Sequence, residues 1–218
     1  MRKIKIWDLA TRLFHWSLVV AFVLAAYSAF EDKFGMYADM HLYSGIAVLI
    51  LISWRIIWGL IGSDTARFSH FVKSPAAAIR AFGSLVRREP YSEVGHNPLG
   101  GYAVILMLVL LLIQPVLGLF SSDDMFFEGP LVSAVDGSLS NRATEIHELL
   151  GLFLIGFTIF HVVMIMVYAL LKRVDLVRPM ITGRAYKPDT EDQPVVRSQI
   201  LAFILLLVVG SGVCLSVF

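Results

Sequence analysis

Four histidines sit where a titratable side chain is costly. His147 and His161 lie fourteen residues apart in one apolar stretch, and His15 and His41 open the first two apolar stretches of the chain. A histidine inside a membrane-spanning stretch is by default a functional-site hypothesis, because hydrocarbon penalises its charged form. Fourteen residues is nearly four helical turns. The second ring therefore returns to within about 40° of the first, about 21 Å further along the axis. Such a helix carries one imidazole near each membrane surface, on the same side. Two upper and two lower histidines suggest two stacked cofactors, each held from two helices, and the candidate is haem b, whose iron takes imidazole as an axial ligand.

The stretches that carry these residues set the architecture. Of 218 residues, 57% are hydrophobic, more than a water-soluble fold of this size conceals. Runs of 18 or more apolar residues read as membrane spans. Five qualify: Leu13–Phe30, His41–Ile61, Leu99–Phe120, Ile146–Leu171 and Gln199–Phe218. The expected fold is an all-α membrane protein. The opening segment also resembles a signal peptide, with its basic start and the small residues Ala25, Ala26, Ser28 and Ala29. Its apolar run is too long and carries His15 and Trp16, so it reads as a retained span. A net charge of +1 gives no reason to expect nucleic acid as a partner. The one cysteine, Cys214, excludes an intrachain disulfide and a thiolate-held iron–sulfur cluster, and reads as a small hydrophobe in the last span.

Lysine and arginine mark cytoplasmic loops. Arg2, Lys3, Lys5 and Arg12 precede the first span, Arg55, Arg67, Lys73, Arg80, Arg87 and Arg88 end or follow the second, and Lys172 to Arg197 join the fourth to the fifth. Of 18 basic residues only Lys33 and Arg142 fall on the other side. That side is acidic, with Glu31, Asp32, Asp39, Asp123, Asp124, Glu128 and Asp136. The chain is therefore expected in a bacterial inner membrane, N-terminus cytoplasmic and C-terminus periplasmic. Trp7, Trp16, Trp54 and Trp58 all fall near the cytoplasmic boundary, where amphipathic rings prefer to lie. Phe71–Glu89 mixes apolar and basic residues at helical spacing and reads as an amphipathic helix on the inner surface, starting at Ser74-Pro75. Arg184–Val196 reads as a polar linker.

Orientation gives each histidine a depth. The outer pair is His41 with His147, the inner pair His15 with His161, so spans one, two and four supply every ligand. Bundles place cofactors between facing helices. Gly45 and Gly151 each follow an outer histidine by one turn, making room either for a flat macrocycle or for close helix packing. Arg55 returns to the face of His41 at the inner end, and Arg12 lies one turn before His15. Each is a candidate partner for a haem propionate or a snorkelling surface cation. His70 and His96 fall in the cytoplasmic loop and are not expected to be ligands.

These residues give the chain a resemblance to bacterial cytochromes b561, the family that also holds the cytochrome b subunits of nickel–iron hydrogenases. The matching stretches are WDLATRLFHW (Trp7–Trp16), HLYSG (His41–Gly45), RIIWGLIGSDTARFSHF (Arg55–Phe71), GHNPLGG (Gly95–Gly101), HELLG (His147–Gly151), His161 and LVRPMITGR (Leu176–Arg184). The resemblance implies a four-helix transmembrane bundle with two haems b under bis-histidine ligation, and electron exchange with the quinone pool, ubiquinone or menaquinone. It makes His15, His41, His147 and His161 the axial ligands. It covers roughly residues 5–184, so the chain divides into a di-haem domain (1–184), a cytoplasmic linker (185–197) and an additional transmembrane helix (198–218) that the family core does not require.

Bis-histidine iron has no open coordination position, which favours outer-sphere electron transfer over oxygen activation. The leading expectation is an electron-transfer cytochrome b linking quinol to a redox partner across the bilayer. Glu145 and Glu148 outside, and His96 with the arginines inside, are candidates for proton handling at a quinone site. The second expectation is an anchor subunit docking a soluble periplasmic redox protein, such as a c-type cytochrome, hydrogenase or dehydrogenase, through the Ser121–Thr144 loop or the fifth helix. Transition-metal transport is disfavoured, since histidines about 21 Å apart along one helix cannot converge on one ion.

Overall fold

A run of apolar residues in lipid must satisfy its own backbone polar groups, and helix is the local way to do so. The computed structural model, which describes residues 2–32, 34–87, 95–123, 125, 127–187 and 192–218, is accordingly mostly helical. Strand β1 (Arg2–Lys5) leads into helix α1 (Leu9–Ser28) and helix α2 (Met36–Ile61). A short α3 (Phe68–Phe71) and α4 (Pro75–Val86) precede α5 (Pro98–Leu119) and the long α6 (Gly137–Lys172). Then come α7 (Val177–Thr182), strand β2 (Arg184–Lys187) and α8 (Gln199–Val217). Among the described residues, five helices, α1, α2, α5, α6 and α8, are long and apolar enough to cross a membrane.

Three details depart from the expected elements. The all-α architecture carries one small strand pair: β1 and β2 pair antiparallel, Arg2 opposite Lys187 and Lys5 opposite Arg184. The segment Arg184–Val196 therefore begins as a strand rather than a linker. Its partner lies at the other end of the chain, so no local pattern announces it. Helix α6 begins at Gly137, nine residues before the expected Ile146, because Asp136 caps it. One carboxylate oxygen accepts from the Leu139 N–H at 3.0 Å and the Ser138 hydroxyl at 2.5 Å. At 36 residues the helix is about 54 Å long and outreaches a hydrocarbon core of about 30 Å. The connection before it is correspondingly shorter than Ser121–Thr144. The amphipathic helix does start at Pro75, while Phe71 belongs to α3 and Glu89 falls outside the described residues.

The chain divides into two compact units. One takes in the described residues of Met1–Leu13, Arg55–Leu106 and Thr158–Phe203. There Ile4, Ile6 and Trp7 are buried against Met180 and Ala185. Gly183, at φ +76°, ends α7, and its carbonyl accepts from the N–H groups of Ile6 and Trp7 at 2.8 and 3.2 Å. Asp8, almost fully buried, caps α1 by accepting from the Thr11 N–H at 2.6 Å and also accepts from Trp58 Nε1 at 3.3 Å. The start of the fifth span is stitched into the same unit. Gln199 Oε1 takes the Ala10 N–H at 2.9 Å, and the Arg197 N–H donates to Ser63 Oγ at 3.1 Å. Asp64 and Val195 clasp each other: the Asp64 N–H donates to the Val195 carbonyl at 3.1 Å, and the Val195 N–H to Asp64 Oδ2 at 2.8 Å.

The second unit takes in Phe14–Trp54, Met107–Phe157 and Ile204–Phe218. Its core joins Ile46 and Leu49 of α2, Leu119 of α5 and Val217 of α8, with Leu42, Ile50, Leu112 and Val213 packed around them. The fifth span is thus a packing helix on α2 and α5.

The Val195 N–H, with Arg67 alongside, holds the Asp64 carboxyl below the ordinary carboxylate range. A depressed folded value means that the clasp contributes fully above the unfolded pKa of about 4 and is lost as pH falls through the lower folded value. Exchange of the Val195 amide, corrected for its intrinsic rate, should stay slow from about pH 7 to about pH 5 and quicken below about pH 4. In Asp64→Ala it should be quick throughout.

Candidate functional site

Two of the four histidines meet within the second unit. His41 lies in the second turn of α2 and His147 ten residues into α6. Their imidazoles meet edge-on, with centroids 5.9 Å apart and planes 83° apart. Each ring has one nitrogen committed elsewhere. His41 Nδ1 is 3.0 Å from the Ala25 carbonyl and 3.3 Å from Ser28 Oγ, both on α1. His147 Nδ1 is 2.9 Å from the Gln114 carbonyl on α5. A carbonyl oxygen only accepts, so in both rings Nδ1 carries a proton, and in a neutral ring Nε2 is then the nitrogen with the lone pair.

That arrangement fits a metal held by two imidazoles. Two metal–nitrogen bonds of about 2 Å and two ring radii of about 1.1 Å separate the centroids by about 6 Å. Among the described residues no cluster of three or more His, Cys, Asp or Glu side chains can enclose an ion. A site with two protein ligands suits a metal whose other positions are filled by a macrocycle.

Sequence reasoning missed the residues that hold these rings. Gln114 donates from Nε2 to the His147 carbonyl at 2.9 Å and approaches His147 Nε2 at 3.4 Å. A Cβ on Gly118 would lie 2.9 Å from His147 Cε1, so a bare glycine lets the ring rest against α5. On the other side Phe127 packs edge-on against His41, centroids 6.4 Å apart. Phe127 is held by its own turn: its N–H donates to Asp123 Oδ1 at 2.8 Å, and the Asp123 N–H donates to the Phe127 carbonyl at 3.1 Å. The only signal available in the sequence was Gln114, the one amide in a long aliphatic run.

The remaining candidates have surroundings of their own. His15 is half-buried in α1 and meets Trp16 edge-on at 5.1 Å, whereas His161 on α6 is exposed. They belong to different units, and their pairing rests on spacing. A Cβ on Gly45 would meet no atom within 4 Å, while one on Gly151 would sit 3.1 Å from Gln114 Nε2. Arg12 Nη1 donates to the Ile181 carbonyl at 2.5 Å. Arg55 is buried, unlike a snorkelling cation. Its Nη2 donates to the Ala66 carbonyl at 2.9 Å, its guanidinium lies 5.3 Å over the Phe68 ring, and Nη1 is buried with no hydrogen-bond partner among the described residues. His96 lies between Trp7 and Phe71, 4.8 Å from each ring. Glu145, Glu148 and His70 are exposed.

The sequence profile of the family described as prokaryotic cytochrome b561 matches residues 6–183. No curated protein sequence matches the chain.

The segment that carries Phe127 is pinned to the end of α5 through a glycine. The Gly129 N–H donates to the Ser121 carbonyl at 2.8 Å, and a Cβ at 129 would lie 2.5 Å from the carbonyl oxygens of Gly118 and Leu119. Gly129→Ala should therefore force the segment off α5 at a cost of about 1–3 kcal/mol. Thermal unfolding in detergent should show the lower midpoint, and limited proteolysis should show faster cleavage near residue 127.

Proposed function

The chain belongs to the prokaryotic cytochrome b561 family, which makes it a membrane b-type cytochrome of electron transfer, and from that premise we propose its specific role. In a bacterial inner membrane it carries electrons across the bilayer between the quinone pool, ubiquinone or menaquinone, and a redox partner. Two haems b are held by bis-histidine ligation, His41 with His147 on the periplasmic side and His15 with His161 on the cytoplasmic side. Residues 1–184 form the four-helix di-haem domain, 185–197 the cytoplasmic connection and 198–218 a fifth span. The N-terminus is cytoplasmic and the C-terminus periplasmic.

The observation that carries this reading is the close approach of the His41 and His147 rings, centroids 5.9 Å apart, each with its Nδ1 proton given to a carbonyl of a neighbouring helix. Such outer partners fix tautomer and ring orientation at metal sites. Bound haem supplies a one-electron ferric–ferrous couple. The buried Nη1 of Arg55 needs an acceptor, and a propionate carboxylate of the inner haem is one of the right charge and chemistry. Arg12, already bonded to the Ile181 carbonyl, assists as a second cation at that end. Gly45 keeps one turn of α2 bare beside His41.

A second reading, an anchor subunit that docks a soluble periplasmic redox protein, draws on one feature. The contact of Phe127 with Asp123 holds its ring against His41, so a partner resting on Phe127 would be one ring away from an axial ligand.

The test is a pyridine haemochrome assay on the purified chain. Two haems b per chain are expected, falling to one in His41→Ala or His147→Ala and to one of different potential in His15→Ala or His161→Ala. Quinol added to the isolated protein should reduce the haem spectrum. Absence of haem, or a content unaffected by all four substitutions, would overturn the ligand assignment. Reduction only in the presence of a co-purified partner would favour the anchor reading.

A further inference from the structure

Between Ala103 and Leu119, α5 carries a single polar side chain, Gln114. An amide placed in an apolar medium without compensating bonds costs roughly 2–7 kcal/mol, so its presence calls for a partner. The partner is His147, and the contact runs both ways. His147 Nδ1–H donates to the Gln114 main-chain carbonyl at 2.9 Å, and Gln114 Nε2–H donates to the His147 main-chain carbonyl at 2.9 Å. Each residue's side chain takes the other's backbone. Two glycines leave the clearance. A Cβ at 151 would sit 3.1 Å from Gln114 Nε2, and a Cβ at 118 would sit 2.9 Å from Cε1 and 3.3 Å from Nδ1 of His147. Gly151, placed one turn inward of His147, is thus explained by the approach of Gln114 as directly as by room for a macrocycle. Pro115 follows Gln114 and lacks an N–H of its own to tie that turn of α5 to the turn before it.

We propose that this reciprocal clasp makes Gln114 a positioning residue of the outer haem: with Gly118 it holds the His147 ring across the plane of His41, at the observed 83°, and so sets the electronic character of that iron. The inference rests on His41 and His147 being the outer axial ligands. The angle between two axial imidazole planes governs the splitting of the iron d orbitals in the low-spin ferric state. The largest g value in low-temperature electron paramagnetic resonance reads that angle directly. The hydrogen bond at Nδ1 governs how strongly the ring donates, which tunes the reduction potential. Neither readout responds to helix packing as such.

The experiment compares the full-length protein with Gln114→Met, which keeps length and loses the amide, and with Gly118→Ala, which pushes the ring edge. Gly156→Ala is the control on α6, since its Cβ would meet no atom within 4 Å. Haem content, g values and redox titration are measured on each. Expected in both test variants are a shifted largest g value for one haem only, that haem being the one lost in His147→Ala. The same haem's ferric–ferrous equilibrium constant should change by three- to tenfold, the tenfold limit being about 59 mV for a one-electron couple. Loss of that haem alone carries the same conclusion. The control matches the parent protein. Unchanged g values and potential at full haem content would overturn the proposal, as would loss of both haems together, which would make Gln114 a determinant of the fold. If the parent protein holds no haem, the ligand assignment itself has failed, and that result is separate from either of these.

Discussion

A neutral imidazole offers a lone pair to a metal through one nitrogen only if its other nitrogen has somewhere to place its proton. In water the solvent provides that acceptor; within an apolar bundle the protein must. Backbone carbonyls of helices are normally spent on their own helix, so an acceptor has to come from a neighbouring helix at close range. His41 finds one at Ala25 on α1, and His147 finds one at Gln114 on α5. The site therefore needs four helices although only two bring histidines to it. Helix α5, which carries no histidine, is as necessary to the arrangement as α6, because it supplies both the acceptor and the bare glycine surface against which the ring lies.

The other unit obeys the same economy of polar groups with different parts. Asp8 caps α1 and takes the Trp58 indole N–H, Thr65 donates to the Ile6 carbonyl at 2.6 Å, and Arg55 donates to the Ala66 carbonyl. Each bond satisfies a group that burial would otherwise penalise by about 1–3 kcal/mol. The result is a set of chain connections, β1, the turn after α2 and the approach to α8, locked by polar contacts rather than by a large apolar core. The fifth span enters through Gln199 and the Asp64–Val195 clasp and continues as an apolar packing surface on α2 and α5. Its lack of histidine follows from that role.

What could be read from the residues divides along the same line between local and non-local causes. Five spans, the start of the surface helix at Pro75 and the fourteen-residue histidine spacing are local patterns, and apolar length alone nearly places the spans. The early start of α6 was missed because its first turns are polar, and hydropathy stops where lipid stops although Asp136 continues the helix by capping. The β1–β2 pair was missed because Arg2 and Lys187 are partners only in three dimensions. Arg55 illustrates a subtler limit. From sequence it is equally a surface cation and an anion-binding group, and only its burial removes the first of these.

Gln114 shows most clearly why site geometry is harder to read than site membership. Histidines declare themselves because they are expensive where they stand. The residues that aim them are a main-chain carbonyl, an absent side chain at Gly118 and one amide among leucines, and none of these has a chemical signature of its own. The two rings are also aimed independently, His41 from α1 and His147 from α5. Their near-perpendicular planes are consequently a joint property of two separate helix pairs, so a change in either pair alters the angle between the rings without touching either histidine.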